Sequence, residues 1–258
     1  MNEIDNHEES QVTPDVAPVV ETKGKRDLFL PISIIAAAVM IGGAILFASL
    51  YKGGSAPTAN NGTGGNATTT VNPAVMTLGA RDAVLGNANA KVTLVEYGDY
   101  QCPFCAQFFS QTEQQIIQNY VNTGKVKMVF RDFAFLGPES IAAAQAAQCA
   151  EDQNKLWAYH DALYSAKVGD EQKGGGEDDG FYNRTEFLKL AQNTGLNIAA
   201  FTTCIDTNKN ASIVTQEKSD ASSYGVNSTP SFFVNATPIT GAQPYAAFQQ
   251  VLDAALQG

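Results

Sequence analysis

The chain has 258 residues and carries 26 acidic against 16 basic side chains, a formal net charge of -10. That balance, with no Lys/Arg cluster beyond residues 23–26, excludes a surface built to follow a phosphate backbone. Four cysteines are an even number that allows three pairings.

Residues 1–27 begin with a polar, acidic stretch containing Glu3, Asp5, Glu8, Glu9, Asp15 and Glu21, interrupted by Pro14 and Pro18. So little apolar surface cannot offset the entropy of ordering, and the segment reads as a disordered tail. Residues 28–51 contain no charged side chain. About 24 residues make roughly 36 Å of helix against a hydrocarbon core of roughly 30 Å, so this run is expected to be a single transmembrane helix. Its length and its distance from the N-terminus set it apart from a cleavable signal peptide. Lys23, Lys25 and Arg26 precede it and only Lys52 follows closely, which places the N-terminus in the cytoplasm and the remainder outside. Residues 52–74, rich in Gly, Asn, Thr and Ala, read as a flexible linker, and the folded domain is expected over 75–258.

Residues 91–97, with Val92, Leu94 and Val95, read as a buried strand. It leads into Cys102-Pro103-Phe104-Cys105, after which a helix is expected over 103–121. Pro103 suits a first helical turn, where its missing N–H has no intrahelical acceptor. Cys102 then occupies the N-cap region, where unpaired N–H groups and the positive end of the dipole favour a thiolate, and Cys105 lies one turn inward. The same spacing is half of a zinc site, but the second half is missing, and no metal is called for. Asn122-Thr123-Gly124 breaks the helix, and 125–133 alternates as a second strand, giving a parallel crossover unit. Residues 139–224 are helical in pattern, with segments through Cys149, Trp157 to Ala166, 185–192 and 199–222, interrupted by a glycine-rich acidic loop at 169–180. Strand character returns at 229–234, Pro238 to Thr240 pairs with it, and 245–256 closes the domain as an amphipathic helix.

This order, with Cys-Pro-Phe-Cys at the first helix, Thr229-Pro230 opening the third strand, and the flanking segments 84–97 and 225–235, resembles the DsbA family of extracytoplasmic thiol oxidoreductases over residues 82–256. The resemblance implies an α/β, thioredoxin-like fold with a helical insertion at about 139–224. It also implies a cis peptide before Pro230 and an exposed Thr229 backbone that pairs with extended substrate, with Pro103 and Phe104 completing the substrate surface. It assigns Glu96, six residues before Cys102, the exchange of protons with the buried cysteine. A carboxylate at the end of a buried strand is desolvated, which raises its pKa toward the range that suits such transfer. Asp99 is expected to be more exposed. Strongly oxidising members of the family carry a histidine where this chain has Phe104.

Cys102 and Cys105 are read as the redox pair rather than a structural cross-link, because a two-residue loop constrains little chain. Cys149 and Cys204 are read as a structural disulfide, with two free thiols as the alternative. His160 shares a helix face with Trp157 and Leu163 and reads as a packing or hydrogen-bonding residue. The acidic loop with Asp170, Glu171, Glu177, Asp178 and Asp179 lacks an alternating oxygen-ligand pattern and reads as solvated. Asn-x-Ser/Thr triplets at Asn61, Asn66, Asn183, Asn210, Asn227 and Asn235 carry little information in this composition. The functional expectation is a membrane-anchored oxidase of exported proteins with free thiols. Its only reagent is the Cys102/Cys105 disulfide, with no other cofactor, and the resemblance implies reoxidation by a quinone-linked membrane oxidase of DsbB or VKOR-like type. The alternatives are a disulfide isomerase or reductase, and a non-catalytic tethered peptide-binding module.

Overall fold

The computed structural model describes residues 72–258, so the tail at 1–27, the anchor at 28–51 and most of the linker at 52–74 lie outside the described residues. Among the described residues no helix is long and apolar enough to cross a membrane. A short 3₁₀ turn, Pro73–Met76, reaches two residues into the stretch read as linker, and Val75 is buried.

Five strands form one sheet in the order β1-β3-β2-β4-β5: β1 (Val84–Leu85), β2 (Val92–Gly98), β3 (Val126–Asp132), β4 (Ser231–Val234) and β5 (Thr237–Thr240). Every residue of β2 is buried, which is why its sequence lacks the polar alternation of a half-exposed strand. β3 runs parallel to it, from Val92 opposite Val126 to Gly98 opposite Asp132, while β4 runs antiparallel, with Glu96 opposite Phe232. Pro238 sits on the edge strand β5, where a missing N–H costs least.

The crossover from β2 to β3 begins as α1 (Pro103–Phe108). It continues through π-helical turns at Phe109–Glu113 and Ile117–Val121, on either side of Gln114–Ile116. This helix and the C-terminal α7 (Tyr245–Gln257) cover one face of the sheet, where Phe108, Ile116, Phe248 and Leu252 pack on Val92, Leu94, Met128, Phe232 and Val234. The other face gathers Val95, Tyr97, Val129 and Phe233 with Val75, Ala221 and Val226. Successive strand residues point to opposite faces, so Glu96 shares the α1 side with Val92 and Leu94. The strand period therefore aims this carboxylate beneath the helix that carries the cysteines.

The helical insertion comprises α2 (Pro138–Glu151), α3 (Leu156–Glu171), α4 (Arg184–Asn193), α5 (Ile198–Asp206) and α6 (Ala211–Ser223). Ala143, Ala146, Ala147 and Ala150 are buried on α2, and their small side chains let α3 and α5 approach closely. Cys149 on α2 and Cys204 on α5 are joined by a disulfide, with 5.9 Å between their Cα atoms. Two expected boundaries differ. Gly169 lies inside α3, which continues to Glu171, because one helical glycine costs only about 1 kcal/mol. The helix expected over 199–222 is two helices, since Thr207 ends α5 and Asn208 adopts φ 50°, the left-handed conformation that asparagine tolerates. β1, two residues long, is too short to leave a periodic signal.

Arg131 ties the segment before β1 to the sheet. Its guanidinium donates to both Asp82 carboxylate oxygens at 2.9 and 2.8 Å, to the Val75 and Thr77 carbonyls, and to Tyr97 Oη. Both side chains of the pair are over nine-tenths buried, so removing one partner strands a charge away from water. Asp82→Ala is expected to lower the unfolding free energy by about 3 kcal/mol in denaturant titrations. Asp82→Ala with Arg131→Met should recover much of the loss, and equal losses in the single and double variants would refute the pairing as the cause.

Candidate active site

The site forms where β2 ends and α1 begins. Asp99, expected to be exposed, is buried because its carboxylate accepts from the Gln101, Phe135 and Leu136 N–H groups and from Ser140 Oγ. It locks the turn that leads into the motif. The Cys102 N–H donates to the Asp99 carbonyl at 2.9 Å, which sets the entry angle of the helix. Cys102 is the N-cap, extended at φ -74° and ψ 120°, and Pro103 takes the first turn. The Thr229-Pro230 peptide is cis and faces the motif, with the Thr229 carbonyl accepting from Cys102 Sγ at 3.5 Å. Both cysteines are free thiols, and Phe104 is 60 % exposed beside them.

The two sulfurs have different surroundings. A hydrogen bond from the Cys105 thiol lowers the Cys102 pKa most. Burial opposes it, while the Cys105 and Phe104 N–H groups add to the lowering, giving about 7. Those two amides are unpaired groups of the helix N-terminus, now directed at sulfur. Complete burial pushes Cys105 well above its ordinary value, and the Cys102 and Glu96 charges push it further.

Glu96 is fully buried and neither of its oxygens has a hydrogen-bond partner. Desolvation raises its pKa well above the usual carboxylate range, and the charges of Glu113 and Cys102 act in the same direction. Glu113, in the first π-helical turn after α1, was absent from the sequence-derived set. It is fully buried with both oxygens unpartnered. It lies eight residues after Cys105 and four after Phe109, a spacing that by itself does not tell a buried acid from a solvent-facing one.

His160, expected to pack or hydrogen-bond, is fully buried, with Nδ1 3.3 Å from Tyr100 Oη and Nε2 3.6 Å from Glu113. Glu113, His160 and the exposed Asp161 bring one donor atom each within 4.8 Å of one another, the grouping among the described residues with donors that a cation takes. The acidic loop is used locally: Asp178 accepts from the Glu139 N–H, and Asp179 from those of Gly176 and Phe181. Two triplet asparagines are likewise occupied, Asn183 as the N-cap of α4 and Asn235 accepting from the Thr93 N–H.

A dithiol at a helix N-terminus, facing a cis-proline at the start of an antiparallel strand, defines a thioredoxin-fold redox site. The family model described as Thioredoxin matches residues 80–254. The chain belongs to that thioredoxin family, and its site resembles that of the DsbA-like members. It is 28 % identical over 178 residues to disulfide bond formation protein D of Bacillus subtilis, covering 68 % of this chain and 77 % of that one. The crystal structure of oxidised BdbD from Bacillus subtilis superposes with a TM-score of 0.62 at 25 % identity, covering 69 % of this chain and 94 % of the other. A Na(+)/H(+) antiporter, NhaA 1 of Salinispora arenicola, is 27 % identical over 180 residues, covering 69 % of this chain. The chain spans 25 % of that antiporter's length.

Because the Cys102 pKa falls to about 7, alkylation of the reduced protein should begin at Cys102, with a rate that rises through that pH. Cys105 should stay unmodified throughout. Cys105→Ala removes the hydrogen bond that lowers it most and should move the midpoint upward, as read by mass mapping of iodoacetamide adducts. Equal labelling of both cysteines would contradict the assignment.

Proposed function

We propose that the protein is a thiol-disulfide oxidoreductase that introduces disulfides into exported proteins, using Cys102 as the exchanging sulfur and Cys105 as its buried partner. The observation that carries this reading is the divergence of the two thiols, one lowered to about 7 and the other raised by burial. In the oxidised enzyme a substrate thiolate attacks Cys102 Sγ. The new S–S bond forms as the Cys102–Cys105 bond breaks, and the electron pair passes to Cys105 Sγ, which takes a proton from Glu96. A second substrate thiolate then attacks the substrate sulfur of the mixed disulfide and displaces Cys102 as a thiolate. The substrate has lost two electrons and the enzyme dithiol has gained them. A thiol with a low pKa is the better leaving group, so resolution at Cys102 is favoured.

Substrate in this reading lies across Thr229 and Pro230 and against the exposed Phe104 and Pro103. Reoxidation falls to a quinone-linked membrane oxidase of DsbB or VKOR-like type, with residues 28–51 holding the domain at the outer face of the membrane. The Phe104 side chain offers no charge or hydrogen bond to the thiolate, and that feature favours the reductase or isomerase alternative. The direction of exchange separates the two.

Reactivation of reduced ribonuclease with glutathione disulfide tests the proposal. The protein should accelerate it, Cys102→Ser should reduce it to the uncatalysed rate, and Glu96→Gln should slow it by about 100-fold while leaving Cys102 titration nearly unchanged. Cys105→Ser should accumulate mixed disulfides on Cys102. Mixed disulfides on Cys102→Ser instead, or full activity without Cys102, would refute the roles.

A further inference from the structure

Each exchange cycle delivers one proton to Cys105 Sγ and later removes it. Neither Cys105 nor Glu96 reaches solvent, and the Glu96 oxygens have no hydrogen-bond partner in the protein. Glu96 can lend its proton once, but it must be reloaded from water before the next cycle. The reading rests on the proposed exchange activity, and it asks how that proton crosses the core.

The surroundings of Glu96 supply one polar way out. Glu113 lies close enough for its charge to repel that of Glu96, and it is likewise fully buried with two unpartnered oxygens. Beyond it stands His160, whose Nε2 also lacks a hydrogen-bond partner and lies 3.6 Å from Glu113. His160 is otherwise enclosed by aromatic rings, with Phe130 at 4.7 Å, Trp157 at 5.1 Å and Phe109 at 6.2 Å between centroids. Asp161, next in the chain, is exposed and brings a carboxylate oxygen within 4.8 Å of both donors. Carboxylate oxygens and an imidazole Nε2 without hydrogen-bond partners inside an aromatic core are costly, and stability alone gives no reason for them.

The titratable groups facing this line are few. Glu96 meets Cys102, Cys105, Glu113 and the hydroxyl-bearing rings of Tyr100 and Tyr164, and His160 meets Tyr100, Glu113, and Tyr164 and Asp161 of its own helix. Among the described residues no Lys or Arg forms an ion pair with Glu96, Glu113 or His160. We propose that Glu113 and His160 are the proton exit of the dithiol, passing protons between Glu96 and water at Asp161. When Cys105 leaves as a thiolate, Glu96 protonates it, Glu113 reloads Glu96, and His160 and Asp161 return one proton from solvent. Reoxidation drives the same hops outward. Glu113 and His160 touch no substrate and act through Glu96 as positioning residues for the proton.

Stopped-flow exchange with a peptide disulfide and dithiol, in EDTA, tests the exit across pH 5.5 to about 8.5, a window that brackets the ordinary imidazole range. Glu113→Gln and His160→Gln should each slow the step that protonates or deprotonates Cys105 by about 10-fold and flatten its pH profile. The thiolate titration of Cys102 should stay near 7 in both. Because Glu113 acts through Glu96, Glu96→Gln with Glu113→Gln should be no slower than Glu96→Gln alone. Wild-type profiles in both single variants, an additive loss in the double variant, or a defect that appears only without EDTA would overturn the exit. A wild-type protein that exchanges no thiols would overturn the proposed function as well, which separates the two failures. His160→Gln reports independently if Glu113→Gln does not give a folded protein by circular dichroism.

Discussion

The site depends on a difference in electrical environment between two sulfurs held one helical turn apart. The N-terminus of α1 is pressed against the end of a fully buried strand, so Cys102 receives the free amides of the helix start while Cys105 enters the core. An amide cluster stabilises negative charge on sulfur, and burial opposes it. The divergence of the two thiols follows from position along α1 and requires no residue of special chemistry between them.

The rest of the domain maintains that placement. Asp99 fixes the turn from β2 to α1 through four accepted hydrogen bonds, and the antiparallel pairing of β4 with β2 brings Thr229 to Cys102. The helical insertion is more than a cover. Its helix α3 places His160 and Asp161 beside Glu113, and its disulfide joins α2 to α5 behind them. Phe104 leaves the dipeptide without an imidazole, so the amides of the helix start and the Cys105 thiol supply the stabilisation of the thiolate.

Much of this was legible in the sequence, for identifiable reasons. β2 announced itself by unbroken apolar character, α1 by proline after the N-cap cysteine, and the insertion by alanine-rich periodicity. Glu96 followed from family resemblance, and its aim follows from the strand period. Glu113 was not legible, because a single acid on an amphipathic helix reads as solvent-facing unless the π-helical turn that rotates it inward is known. Asp99 was misjudged because its four donors come from residues up to 41 positions away. His160 was placed correctly among apolar neighbours, but its approach to Glu113 is a tertiary contact that spacing does not encode.

The central claim is that the fold stabilises the reduced dithiol through the Cys102 thiolate. A thiol whose folded pKa is lowered adds stability that is fully present above its unfolded pKa, roughly 8.5, and is lost as pH falls through the folded value, about 7. Closing the short Cys102–Cys105 loop stabilises the oxidised form by about 2 kcal/mol in the chain-entropy model, a contribution of similar size that does not change with pH. The most direct measurement is the denaturant midpoint of the protein reduced at Cys102–Cys105, with the Cys149–Cys204 bond intact, against that of the oxidised protein. The stability of the reduced form relative to the oxidised form should rise as pH increases from about 6 to about 9, most steeply between about 7 and 8.5. A difference between the two forms that stays constant across that range would contradict the account.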